Sequence, residues 1–428
     1  MYESLKGKRL LVLGGTRISC EIIKCAKKLG LIVGVADYNK LEDSPGKQIA
    51  DEKYDVSVTD VDAVVDLLKR EKFDGVITGF SDMLLPYYAD ICKKSGLYCY
   101  GTKEQFELFS DKKKYKELCK KFNVPVIKDY NDKNLKKTEE YPVIVKPSDG
   151  SGSKGITICN CFDELEDAIK KAKSFSKKNS IIIEKYMSEQ EATVNWVFVD
   201  GEYYLSCICD RYVKKLNDEK LIPLPVGHFY PSTITNKYIN ETMLKVKEMF
   251  KSIGIKNGIM FMQCKVDNGV CRVYDMGFRL TGALEYKNLE MTCGYNPLEM
   301  LINYSITGKM CDESLLNKIN PINMKPSFNV SFISEPGEIS KITGLEKIGQ
   351  TKGINDIVLA HLPGEIIKED LRGLLAQVTV SVFGYADDKK QMIDLFNHVQ
   401  NTIHIISKEG KDMCLRKMER EDFEILVK

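Results

Sequence analysis

The chain reads as a mixed α/β and α+β protein: a doubly wound N-terminal domain, a central α+β region and a C-terminal α+β unit. Three observations predict this. Short apolar runs alternate with helical periodicity through roughly the first hundred residues. At 141–156 an apolar strand then delivers Lys146 and Pro147 into a loop rich in glycine and serine. From about Phe328 onward the pattern is dominated by short β-branched runs.

In chain order, 8–15 is an apolar strand, 16–29 carries helical periodicity and 31–36 is a second buried strand ending at Asp37. This βαβ opening invites a dinucleotide reading. The G-x-G-x-x-G spacing fails after Gly14 and Gly15, because Thr16, Arg17 and Ser19 follow. The turn at 14–16 still suits an anionic group of a substrate, since it opens a helix. A helix at 63–70, a strand at 75–78, a helix at 83–94 and a strand at 98–100 complete a doubly wound parallel domain. Ser110, Asp111 and Lys112 then open a lysine-rich helix that closes at Asn123-Val124-Pro125. Such a run is most often a solvated face.

The 141–156 stretch has the makings of a phosphate-binding device. Glycines at 150, 152 and 155 let backbone N–H groups approach closely, while Lys146 and Lys154 supply charge. It is not a P-loop, because G-x-x-x-x-G-K-[ST] is absent. A helix at 162–176 and a buried strand at 181–184 follow. Asp200-Gly201 predicts a hairpin into 203–210, and Asn268-Gly269 a second one joining 260–266 to 270–276. Between them, 211–235 is polar, proline-bearing and too long for a plain connector. A helix at 238–253 precedes the second hairpin. Strands around 328–334, 337–344, 357–362 and 378–386, a helix at 389–403 and a strand at 402–407 form what reads as a separate unit.

With 428 residues the chain exceeds one core, so roughly two to four domains are expected. Lys+Arg 63 against Asp+Glu 61, without blocks of one sign, argues against nucleic-acid and membrane-surface partners. No long apolar run and no signal-peptide pattern is present, which points to the cytoplasm. Fourteen cysteines without a C-x-x-C, beside only four histidines, read as reduced core residues rather than a zinc site.

The assembled order is a doubly wound domain, an Asp-Lys helix, strand-Lys-Pro-glycine loop, Glu-Lys-x-x at a strand end, and a hairpin before Arg-x-x-Gly. This order resembles the ATP-grasp superfamily, the fold of biotin carboxylase, carbamoyl phosphate synthase and the amino-acid ligases. The resemblance implies a pre-ATP-grasp Rossmann-like domain at 1–106. It implies an ATP-grasp domain of two α+β subdomains at 107–310, the small mobile one at about 124–185, and a closing domain at 311–428.

Carried over residue by residue, Lys112 and Lys146 match the two phosphate-binding lysines. Ser148, Gly150, Ser151, Gly152, Ser153, Lys154 and Gly155 match the loop that closes over the phosphates. Glu184, Lys185, Tyr186 and Met187 match the hinge that reads adenine through a carboxylate and backbone groups, and Glu191 the ribose carboxylate. The resemblance implies ATP with Mg²⁺ (or Mn²⁺) as cofactors. Its metal pattern departs here: Gln263 and Gly277 stand where the family has Glu and Asn, and only Asp275 keeps a carboxylate. A bulge, which Gly269 permits, has to bring Gln263 and Asp275 onto one face. Arg279 matches the arginine that grips the transferred phosphoryl group, and its spacing from Asp275 also allows a mutual salt bridge.

On the substrate side the resemblance points to Arg211, Gly227, Tyr230, Arg279 and Gly282, with Gly14–Arg17 and Ser81-Asp82 from the N-terminal domain. Lys146, Lys154, Arg279 and His228 are the candidate catalytic residues, His228 as the group that takes a proton from an attacking ammonium. The implied activity is an ATP-dependent carboxylate–amine ligase that forms an acyl phosphate from small-molecule substrates, often as a homodimer. Two alternatives stand beside it: an ATP-binding protein with a degenerate metal site, and a bicarbonate-using enzyme that forms carboxyphosphate.

Overall fold

The structure, a computed structural model, describes residues 2–131, 135, 140–149, 154–188, 190–214, 224–415 and 417–423. In the N-terminal domain β1 (Arg9–Leu13), β2 (Ile32–Ala36), β3 (Glu52–Tyr54) and β4 (Gly75–Ile77) form a parallel sheet in the order β3-β2-β1-β4. Leu10 to Leu13 and Val33 to Ala36 are buried, as expected for strands covered on both faces. The expected strand at 98–100 is replaced by a docking contact. The Tyr100 hydroxyl donates to the Phe278 carbonyl at 3.1 Å, and its ring stands edge-on to Phe106 and Phe278 at 5.2 and 5.3 Å. The segment packs on the central domain instead of pairing in the sheet, and β3 takes the fourth place.

The small subdomain is an antiparallel sheet, β5-β8-β6-β7, built from β5 (Asp129–Tyr130), β6 (Val143–Pro147), β7 (Thr157–Cys159) and β8 (Ile181–Lys185). Its own core gathers Val143, Val145, Cys159, Leu165, Ala168 and Ile183 beneath the helix Leu165–Ser174. Register places Glu184 opposite Ile144 and next to Lys146, so one strand pair carries both charges to the same edge.

The large sheet has eight strands in the order β13-β12-β9-β10-β11-β14-β18-β16. Its members are β9 (Glu191–Val199), β10 (Glu202–Lys214), β11 (Leu224–Tyr230), β12 (Gly258–Asp267), β13 (Val270–Gly277), β14 (Ser327–Ile333), β16 (Ile354–Leu359) and β18 (Val378–Tyr385). Both predicted hairpins form, with Asp200, Gly201, Asn268 and Gly269 at positive φ in their turns. Trp196, wholly buried on β9, meets Phe250 edge-to-face at 5.5 Å and anchors the helix Met243–Ser252.

The C-terminal region is not a sheet of its own. Strand β14 pairs with β11 through Gly227–Val330 to Tyr230–Ser327, so the sheet runs unbroken across the expected boundary at 310/311. What is separate is a second core around Phe229, Phe328, Val380, Phe396 and Ile405. The three-stranded sheet of β15 (Gly337–Thr343), β17 (Ile366–Ile367) and β19 (His404–Ser407) adds to this region in the order β17-β15-β19. Of the segment expected as a long polar loop, the described parts at 211–214 and 224–230 are strand, since β10 extends to Lys214 and β11 begins at Leu224. Among the described residues, no helix is long and apolar enough to cross a membrane.

Candidate active site

Between the small sheet and the β9–β12–β13 end of the large sheet lies a cavity of about 220 Å³. It receives Lys112, Lys146, Glu184, Glu191, Asp275 and Arg279 from five separate segments of the chain. Asp111 caps the helix Lys112–Lys121 by accepting from the N–H groups of Lys113 and Lys114, and Lys178 holds its other oxygen at 2.9 Å. That cap points Lys112 into the cavity, where its ammonium lies 3.4 Å from Asp275.

One helical turn on, Lys116 is almost wholly buried and ion-paired to Glu184. Lys146 is paired to the same carboxylate and also donates to the Tyr274 carbonyl at 3.2 Å. Burial alone would raise the Glu184 carboxyl, but the two lysines outweigh it and hold it below its ordinary value. Burial pulls the Lys146 ammonium downward, and Lys112 and Lys116 add to that against the attraction of Glu184. The Glu184 carboxylate, expected to read adenine, lines the cavity while ion-paired to both lysines. The N–H groups of Lys185 and Tyr186 are likewise taken, by the carbonyls of Lys128 and Pro142. Lys185, Tyr186 and Met187 all line the cavity, Met187 buried on its wall.

Glu191 sits in a second network, accepting from the Tyr274 hydroxyl at 2.9 Å and Lys265 at 2.9 Å and paired with Arg211. Neither Lys265 nor Tyr274 stands out in the sequence, because each reads as an ordinary strand residue. Gln263 and Asp275 face each other directly across β12 and β13. The irregularity that aligns them lies at the Gln263/Cys264 step, where Tyr274 is the extra residue, and not at the Asn-Gly turn. Gly277 carries no side chain for a packing reason: a Cβ there would stand 2.4 Å from the Phe261 ring. Arg279 stacks over that same ring at 5.0 Å.

Arg279 does not pair with Asp275. Its Nε and Nη2 donate to the two carboxylate oxygens of Asp82, each at 2.6 Å, and its Nη1 to the Leu280 carbonyl at 2.8 Å. Burial would lower the guanidinium, but Asp82 reverses this and keeps it charged. Asp82 brings the N-terminal domain to the site. At the 14–16 turn Thr16, with Arg17 after it, lines a second, adjoining cavity, but the backbone donor of Gly15 is taken by the protein itself. The Gly15 N–H donates to Asp37 at 2.6 Å, so a carboxylate stands where an anion was expected.

A larger cavity, about 510 Å³, adjoins the first and shares Arg211, Gln263, Thr281, Gly282 and Leu375 with it. Tyr230 and His228 line it. Gly227 does not: its Cβ position faces Met418 and the rings of Phe229 and Phe396 in the C-terminal core, as strand alternation from His228 requires. His228 is buried, and burial together with Arg211 lowers its imidazole to about 3. So low a value makes the neutral imidazole a weak base and a poor acceptor for the proton of an ammonium, the role expected of it. Lys154 is exposed and lies outside the cavity lining, Ser148 is buried, and Gly155 packs toward Phe175. Gly150, Ser151, Gly152 and Ser153 lie outside the described residues.

As to a divalent cation, Asp275 and Gln263 offer one carboxylate and one amide oxygen on one face. That donor set fits a hard cation shared with a polyphosphate. Among the described residues, no cluster of three His, Cys, Asp or Glu is placed to hold a metal.

A lysine-lined cavity thus lies between a small antiparallel sheet and a larger one, with a second cavity alongside. Residues 139–283 match the family model described as an ATP-grasp domain. Among curated proteins it is 30% identical over 201 residues to the 2-oxoglutarate carboxylase small subunit of Hydrogenobacter thermophilus, covering 42% of each chain. It is 27% identical over 276 residues to the carbamoyl phosphate synthase large chain of Clostridium botulinum, covering 60% of this chain and 25% of that one. The chain thus spans less than half the length of these relatives. Among solved structures, the L-amino acid ligase of Bacillus licheniformis superposes with a TM-score of 0.75 at 18% identity, over 94% of this chain and 99% of that one. The biotin carboxylase domain of the Hydrogenobacter enzyme, a dimer in complex with MgADP, ADP and bicarbonate, gives 0.74 at 20% identity over 96% and 91%. At such identities these two show the shared fold.

Proposed function

We propose that the chain is an ATP-dependent ligase that phosphorylates a small-molecule carboxylate and couples the acyl phosphate to an amine, releasing ADP and phosphate. The observation that carries this reading is the pair of adjoining cavities with Arg211, Gln263, Thr281 and Gly282 on their common wall. One cavity concentrates the cations a triphosphate needs. The other, at about 510 Å³, is far larger than bicarbonate alone would fill and is mostly apolar-walled, as an organic substrate requires.

Lys112 and Lys146 bind phosphate oxygens in this reading. Because Glu184 is shared, Lys116 still compensates it when Lys146 turns to the nucleotide. Asp275 and Gln263 would hold Mg²⁺ or Mn²⁺, which neutralises charge on the phosphates. Arg279, preset by Asp82, grips the phosphoryl group and the oxyanion. Lys154 closes over the phosphates, and Glu191 and Met187 hold the nucleoside. Enclosing acid and amine together supplies orientation and excludes water from a hydrolysable intermediate. A homodimer is the assembly we assign by analogy with the Hydrogenobacter domain.

The test is ADP release from Mg-ATP across a matrix of carboxylic acids and amines, with and without bicarbonate. Release that requires one acid together with one amine is expected. Release with bicarbonate and no organic acid would replace the reading with carboxyphosphate chemistry. Nucleotide binding without release for any pair would make the protein a binder.

A further inference from the structure

His228, the expected proton acceptor, lines the second cavity but is a weak base there, which turns attention to the carboxylates of the same cavity. Two carboxylates line the second cavity, Glu21 and Glu285. Glu21 is held by Lys287 at 2.6 Å and Lys24 at 3.2 Å. Glu285, 2% exposed, has no cation within ion-pair distance among the described residues, and its side-chain partner is the Thr281 hydroxyl.

The backbone is shaped to hold it there. Thr281 accepts from the Ala283 N–H at 3.0 Å, and Leu284 adopts φ +56°, a left-handed conformation that a bulky residue rarely takes. Such strain persists where the surroundings enforce it, commonly at functional sites. Glu285 occupies the N-cap position of the helix Tyr286–Cys293, yet its carboxylate does not cap that helix. It turns back to Thr281, which lines both cavities and lies two residues beyond Arg279 on the same continuous stretch.

We propose that Glu285 is the base that takes the proton from the amine in the second cavity, with Thr281 holding its carboxyl beside the acyl group. This rests on the ligase reading above. An ammonium passes one proton to Glu285, which frees the nitrogen lone pair. The nitrogen attacks the acyl carbon, the C–N bond forms, and the C–O bond to phosphate breaks with its electron pair on the leaving oxygen. The second nitrogen proton leaves with the phosphate, and Glu285 returns its own to water. Burial raises the Glu285 carboxyl above its ordinary value, against Thr281, the two nearby backbone N–H groups and Arg279. That moves it toward the range in which a carboxylate accepts a proton from an ammonium at working pH. The other groups that sense its charge are Cys207, Tyr230 and Tyr286, all with raised pKa values and therefore neutral.

The test sets amine against hydroxylamine, whose nitrogen is largely unprotonated at neutral pH and needs no base. With Mg-ATP and a pool of the common amino acids, Glu285→Gln should lose amide formation by about 10²-fold or more, the usual worth of a general base. Hydroxamate from trapped acyl phosphate should stay near the wild-type rate. Amide formation at the wild-type rate, or joint loss of amide and hydroxamate, would overturn the proposal. The wild-type protein gives a second readout that needs no variant. In competition, the amide-to-hydroxamate ratio should fall with decreasing pH more steeply than the ionisation of the two nucleophiles requires. A ratio that follows the nucleophiles alone overturns the proposal even if the variant does not fold. If wild type makes neither product from any acid, the ligase reading itself has failed, which is a distinguishable outcome.

Discussion

His228 shows how a side chain's surroundings decide its chemistry. In the unfolded chain its imidazole has an ordinary value of 6.5, and in the fold burial and Arg211 hold it near 3. Below pH 6.5 the unfolded chain therefore binds a proton that the native state refuses, so stability is present above 6.5 and is lost as pH falls toward 3. Replacing His228 with Gln should flatten the decline in urea midpoint between about pH 6.5 and 5, at up to about 1.4 kcal/mol per pH unit. An unchanged slope would show that the imidazole titrates freely. A similar context separates Lys116 from its neighbours in the lysine run. The run reads as a solvated face, and Lys112 is recognisable through Asp111. Burial of Lys116 against Glu184 depends on a strand more than sixty residues away, which local pattern does not encode.

At the level of elements, most strands and helices were legible because their periodicity is strong and their turns carry Asp-Gly and Asn-Gly. Three features were not. The 98–100 segment has strand composition but docks by its aromatic rings, β3 is short and half-exposed, and the pairing of β11 with β14 joins segments about a hundred residues apart. The bulge at Tyr274 was anticipated as a need but misplaced, since a glycine at a turn is visible and a register shift inside a strand is not. The N-terminal domain holds Arg279 through a bidentate pair with Asp82 and lines the second cavity with Thr16, Arg17, Ile18 and Glu21. Asp82→Asn should leave nucleotide affinity nearly unchanged while lowering turnover about 10²-fold, the size of effect expected when a reacting-site group is displaced by about 1 Å. Steady-state kinetics beside ADP titration checks this, and equal losses in both would assign Asp82 to folding instead.

The whole molecule places a cation-rich cavity beside a larger one and joins them at Arg211, Gln263, Thr281, Gly282 and Leu375. The continuous eight-stranded sheet makes the C-terminal region part of the second cavity, through Ser331, Val358 and Val378. Substrate selection therefore belongs to that region as much as to the N-terminal domain. The substrates themselves are not encoded in a motif, because the cavity wall is assembled from scattered, individually ordinary residues. The central claim is that an acid's own oxygen passes to phosphate through an acyl phosphate. Carboxylate-¹⁸O-labelled amino acids, supplied as a pool with Mg-ATP and amines, test it by mass analysis of the inorganic phosphate released. The account predicts phosphate carrying one labelled oxygen from the acid. Amide product accompanied by unlabelled phosphate would contradict it.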